Sequence, residues 1–359
     1  MKTQHVWINQ IKGLCICLVV LYHSVITFYP TLTGLDNQLA VNLAKAWTYL
    51  NLYLAPFRMP VFFFISGFLI KRYIASVPWK QCFDKRVLSI LYVLMLWGMI
   101  QWFCLTHING WLAPERDIST SANAAYATSP NGFLINMLTA STSLWYLYAL
   151  VIYFVVLKTL NRWHWPVLLA LVLINIAINF FPLPWWGMNS ILRNMIYYAL
   201  GAFCGEQLIA WMTSLSLRRY IIAFATALVL SLGLYFSNVA LALSLLSILF
   251  FMTLFYRLNQ LYPASPGNLL NIVGSNTIAI YTTHRILVEI LSLSAAKAIN
   301  SHLLSDNVTL TLLMIYPFIA LMLCIATGLL VRKLSKVLFN DVLFSVPKPP
   351  INTLKRVNR

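Results

Sequence analysis

Acidic side chains are scarce in this chain: eight Asp and Glu among 359 residues, against twenty-five Lys and Arg. Charged residues together make up only 9% of the sequence, where soluble domains carry about a quarter. That shortage excludes an ordinary soluble fold. Cysteine is sparse as well. Its six positions (15, 17, 82, 104, 204 and 324) show neither the paired spacing of a zinc site nor the clustering of a disulfide scaffold. No His, Cys and Asp residues stand at metal-ligand spacing, so no metal is expected. Hydrophobic residues take the space instead, 60% of the chain, in runs long enough to span a bilayer that recur along its whole length.

These runs predict an all-α polytopic membrane protein with about ten transmembrane helices in a single bundle. The spans are 8–30, 45–74, 83–106, 141–160, 165–181, 190–211, 219–235, 238–256, 272–298 and 309–335. Residues 1–335 would form the membrane-embedded domain and 336–359 a short basic tail. Lys2 precedes the first apolar run, as in a cleaved signal. The run is long, contains His23 and offers no small-residue cleavage site, so it reads as a retained span.

The net charge of +17 is spread over short loops and the tail. An even number of spans puts both termini on one side of the membrane. That side holds nineteen of the twenty-five Lys and Arg, among them Lys12, Lys71, Arg72, Lys85, Arg86 and the cluster from Arg332 onward. An excess of this size predicts cytoplasmic termini and accounts for the basic charge, leaving no reason to expect nucleic acid as a partner.

Ionisable residues inside apolar spans are costly and face the bundle interior by default. The stretch "IKGLCICLVVLYHSV" (11–25) carries two, Lys12 and His23. Eleven helical steps of about 100° bring them to one face, roughly 16 Å apart along the axis. With the first helix running outward, Lys12 sits at the cytoplasmic boundary and His23 beyond the midplane. "GSNTIAIYTTHRILVEI" (274–290) places His284 at similar depth, with Arg285 and Glu289 spaced as an i,i+4 pair. In "APFRMPVFFFISGFLIKRY" (55–73), Pro56 and Pro60 can kink the helix beside Arg58, a candidate anion-binding group. Ser66 and Gly67 allow a close approach, by a neighbouring helix or by a ligand. Trp145, Tyr146 and Tyr148 stand at the outer end of the fourth span, as interfacial aromatics do.

The pattern resembles the membrane-embedded acyltransferase family 3. Its basic residue, ten residues and a histidine are matched by Lys12 and His23. Its F-F-x-x-S-G-F segment is matched by "FFFISGF" (62–68), its L-W-Y-L segment by 144–147, and its Y-x-x-H by Tyr281 to His284. The four occur in order along nearly the whole chain. One departure stands at "DKRVLSIL" (84–91), where Lys85 and Arg86 match the family's basic cluster and Ser89 replaces its last arginine.

The resemblance implies a bacterial inner-membrane O-acyltransferase, with acetyl as the expected group. It takes a cytoplasmic acyl-CoA donor and an acceptor hydroxyl on an envelope glycan, a glycolipid or a small molecule. His23 would be the general base and His284 would orient the acceptor or support the tetrahedral intermediate. Lys12, Arg58, Ser66, Lys85, Arg86 and Trp145 would bind the donor. The alternative is a proton-coupled secondary transporter that relays protons through His23 and His284, with Glu289 as carrier. Against it, no internal repeat or second proline-broken helix is visible.

Overall fold

The computed structural model describes residues 6–347 except 34, 36, 119, 120, 215, 237–239, 264 and 266. The expected charges at Lys2, Lys348, Lys355, Arg356 and Arg359 lie outside the described residues. The described chain is helical, with no strand. In order come α1 (Val6–Phe28), α2 (Gln38–Tyr53), α3 (Ala55–Ala75), α4 (Trp79–Phe83), α5 (Ser89–Leu112), α6 (Pro130–Leu138) and α7 (Trp145–Thr159). There follow α8 (His164–Phe180), α9 (Trp186–Ser214), α10 (Leu217–Phe236), α11 (Leu241–Leu261), α12 (Leu269–Ser275), α13 (Thr277–Asn300) and α14 (Asp306–Phe339).

Each of the ten expected spans falls on helix, but the count changes. Seven helical segments are long and apolar enough to cross a membrane: Val6–Thr31, Gln38–Ala75, Trp79–Leu112, Asn161–Phe180, Leu241–Leu261, Thr277–Asn300 and Asp306–Phe339. The bent pair Trp186–Met212 and Leu217–Leu230 raises this to eight when taken as one span. The expected span 141–160 supplies only the 15 residues of α7. That is about 22 Å of rise, short of a hydrocarbon core of about 30 Å. Its first four residues are held out of the helix because Ala140 is left-handed (φ 55°) and the chain from Ser141 to Leu144 turns there instead.

Proline and asparagine set two further breaks. The second expected span is split at Leu54, and Pro56 opens α3 at a position where its missing N–H costs nothing. The expected helix 272–298 is interrupted at Asn276 (φ −119°, ψ 23°), separating α12 from α13. At the far end α14 runs on to Phe339, past the expected boundary at 335. The chain then folds back: Trp97 donates its indole N–H to the Leu343 carbonyl at 2.7 Å, and Arg332 pairs with Asp341 at 2.8 Å. Residues 341–345 therefore pack against the bundle, with Phe344 buried.

α1 is the central helix, packing against α3, α11, α12, α13 and α14. Its contact with α12 is close because both faces carry glycine. A Cβ on Gly13 would run into the Leu270 carbonyl, and one on Gly274 into that of Asn9. α3 meets α9 in the same way through Gly67 and Gly201. Small residues that bring backbones together are the usual means of joining helices in lipid, where burial of apolar surface supplies no drive. α1 and α3 also pack against each other, and residues of both line each of two cavities.

Candidate active site

Two cavities lie along α1. The larger, about 580 Å³, is lined by Tyr22 and His23 of α1, Arg58 of α3, Trp145 of α7, and Tyr281 and Arg285 of α13. The smaller, about 340 Å³, is lined by Lys12 of α1, Ser66 of α3, Arg86, Tyr146 of α7 and Tyr198 of α9. Tyr281 lines both. It is held as a wall: its hydroxyl donates to the Ser143 carbonyl at 2.8 Å and accepts from the Tyr146 N–H at 3.3 Å, and the Tyr146 ring packs edge-on against it.

His23 and His284 meet at the larger cavity, ring centroids 5.0 Å apart. His284 Nδ1 lies 2.7 Å from the Tyr281 carbonyl oxygen. A carbonyl only accepts, so this nitrogen carries a proton, and the neutral ring keeps its lone pair on Nε2. Among the described residues neither that Nε2 nor His23 Nδ1 has a hydrogen-bond partner. The two histidines differ in access. His23 is partly open to the cavity, whereas His284 is fully buried and lines neither cavity. His284 thus reaches the larger cavity only through His23.

Of the six residues expected at the donor, Lys12, Ser66 and Arg86 share the smaller cavity, while Arg58 and Trp145 face the larger. Lys85 is exposed and lines neither. The sequence 84–88 forms one π-helical turn between α4 and α5. Neighbouring residues on a helix point about 100° apart, which leaves Lys85 outward and Arg86 inward; a π-helical turn is a local irregularity that recurs at functional sites. Arg86 stacks on the Tyr73 ring at 4.2 Å, and among the described residues its buried Nε has no partner. Ser66 donates to the Phe62 carbonyl or shares its hydroxyl with Tyr146 (2.8 Å each).

Arg285 and Glu289 form the i,i+4 pair at 3.0 Å. The pair belongs to a larger network that joins the connection after α5 to the bundle. Glu289, with no exposed surface, also accepts from Asn109 (2.9 Å), Arg116 (2.8 Å) and Tyr126 (2.8 Å). Arg285 donates to Thr27 at 2.5 Å and to Tyr126. Burial pushes the Tyr126 phenol up to about 12, so it stays protonated and can donate. Only the folded chain brings Arg116, from the connection after α5, to Glu289.

Reasoning from ionisable groups alone passes over the amides. Asn175 and Asn179 of α8 and Ser190 and Asn194 of α9 line the larger cavity with His23. The sequence does hold their signal: polar residues four apart within apolar helices put several hydrogen-bonding groups on one face. Such a face turns inward for the same reason that a charged one does.

The family described as an acyltransferase domain matches residues 5–331. Inner membrane protein YcfT of Escherichia coli (strain K12) is 56% identical over 350 residues, covering 98% of each chain. No solved structure matches.

Proposed function

The chain belongs to this acyltransferase family, and from that premise we propose that it is an inner-membrane O-acyltransferase moving an acetyl group from cytoplasmic acetyl-CoA to an envelope hydroxyl. The observation that carries the reading is the pair of cavities with one shared wall. Cationic Lys12 and Arg86 stand on one side of Tyr281 and His23 on the other. The positive-inside excess assigns the Lys12 side to the cytoplasm.

In this reading Lys12 and Arg86 bind phosphate groups of the donor, as charge-assisted hydrogen bonds suit. The thioester reaches the Tyr146–Tyr281 wall. His23, as neutral imidazole, takes the proton of the acceptor hydroxyl while its oxygen attacks the thioester carbonyl. The tetrahedral intermediate collapses by breaking the C–S bond, and the CoA thiolate leaves with a proton returned by His23. The products are the O-acetyl ester and CoA. His284 supports His23 from behind. The transporter alternative has less support, because its carrier Glu289 is occupied by two arginines, an asparagine and a tyrosine.

Inverted membrane vesicles test the donor side directly. Labelled acetyl-CoA added outside should transfer label to glycan or lipid when the protein is present and leave controls unlabelled. Equal label in vesicles lacking the protein would contradict the proposal.

A further inference from the structure

Acyl transfer to a hydroxyl asks for a base and for one or two donors to the tetrahedral oxyanion, but for no further positive charge around the acceptor. The cavity that holds His23 is nevertheless lined by three arginines, Arg58, Arg193 and Arg285, and by no aspartate or glutamate. Arg285 is compensated by Glu289. Arg58 is not. It is 7% exposed, donates Nη1 to the Asn51 carbonyl (2.9 Å) and to the Asn51 side chain, and lies over the Tyr22 ring at 4.2 Å. Among the described residues it pairs with no carboxylate.

A buried guanidinium within a membrane bundle is costly without a counter-charge. An amide and an aromatic face orient the fork of Arg58 but leave its charge uncancelled. Its planar set of donors matches a carboxylate or a phosphate. The rest of the wall suits hydroxyls: the amide nitrogens of Asn175, Asn179 and Asn194 donate to the Arg193, Asn175 and Ser190 carbonyls, and their side-chain oxygens can accept from a hydroxyl.

We infer that the acceptor is an anionic polyhydroxyl compound, bearing a carboxylate or a phosphate that Arg58 binds, with Arg193 adding attraction at the exposed edge. The amides engage its hydroxyls and leave one against His23. This rests on the reading above that the larger cavity takes the acceptor.

Thermal unfolding of the purified full chain, without donor, separates this claim from acyl transfer itself. The probes are glucuronate, glycerol 3-phosphate, glucose and CoA. At equal concentration at least one of the two anionic probes should raise Tm and glucose should not; which one does so distinguishes carboxylate from phosphate. The rise should vanish in Arg58→Gln, persist in part in Arg58→Lys, and need several-fold more probe in Arg193→Gln. Should Arg58→Gln fail to fold, Arg58→Lys and Arg193→Gln carry the test, because both retain the helix junction. Stabilisation by glucose equal to that by glucuronate, or no stabilisation by either anion, overturns the inference. So does a CoA-induced rise that is lost with Arg58 and kept in Arg86→Gln, which would make this the donor's cavity. Anion binding without any acetyl transfer would leave this inference standing and remove the acyltransferase reading.

Discussion

His284 lies behind His23, their rings 5.0 Å apart, with its Nδ1 proton donated to the Tyr281 carbonyl and only His23 facing the cavity. One histidine is placed for contact and the other for support. His284→Ala removes the ring that backs His23 and should lower kcat about 100-fold through misplacement of the base. The KM for acyl-CoA should hold, since Lys12 and Arg86 are untouched. His284→Gln can still donate to the Tyr281 carbonyl and should recover part of the loss. A rise in donor KM with kcat intact would move His284 to another role.

Two neighbouring cations in the π-helical turn face different surroundings. Arg86 lines the smaller cavity and Lys85 does not. Arg86→Gln should therefore raise the KM for acyl-CoA about tenfold, in line with the loss of a charge-assisted contact to phosphate. Lys85→Gln should leave it unchanged. Equal effects from the two substitutions would point to diffuse surface charge rather than a contact.

Much of the bundle is legible in the sequence because hydrocarbon length and helical period are strong constraints. Counting eleven steps from Lys12 to His23 describes where they stand, each lining one of two cavities on the same helix. The break before Pro56 follows from backbone chemistry in the same way. What could not be read depends on partners far apart in the chain. Arg116 meets Glu289 across 173 positions, and Tyr281 forms a common wall only when Ser143 and Tyr146, around the start of α7, come against it. The asparagines of the larger cavity were readable in kind but were passed over because they carry no charge. The span count erred where a left-handed Ala140 shortens α7, a conformation that no propensity announces.

The buried network should be a keystone for stability. Glu289→Ala leaves Arg285 and Arg116 without their carboxylate and the Tyr126 hydroxyl without its acceptor, while the Asn109 amide nitrogen keeps only its bond to the Leu105 carbonyl. The expected cost is about 3 kcal/mol, the scale for breaking a buried ion pair by removing one partner. Arg116→Ala should cost less, because that side chain is 34% exposed and partly solvated. Reversible denaturation of the two purified variants would check the order. A reversed order would place the weight of the network on the loop instead.

Orientation is open to a labelling test in intact cells. Glu115→Cys and Ser305→Cys put exposed thiols at the ends expected outside, and Ser76→Cys puts one on the opposite side. An impermeant thiol reagent should label the first two and spare the third. The native cysteines, none of them fully exposed, set the background. Labelling of Ser76→Cys alone would invert the membrane topology and with it the side from which the donor enters.

The central claim is that His23 is the base of an envelope acyl transfer. Cells lacking the protein are supplied with the wild type, with His23→Ala or with neither, and their envelope glycans and lipids are compared by mass spectrometry at matched levels of folded protein. The account predicts a species heavier by one acyl group with the wild type, reduced by about 10²–10⁴-fold with His23→Ala and absent with neither. An acylated species formed equally well by His23→Ala, or a wild type that adds no acyl group to any envelope molecule, would contradict it.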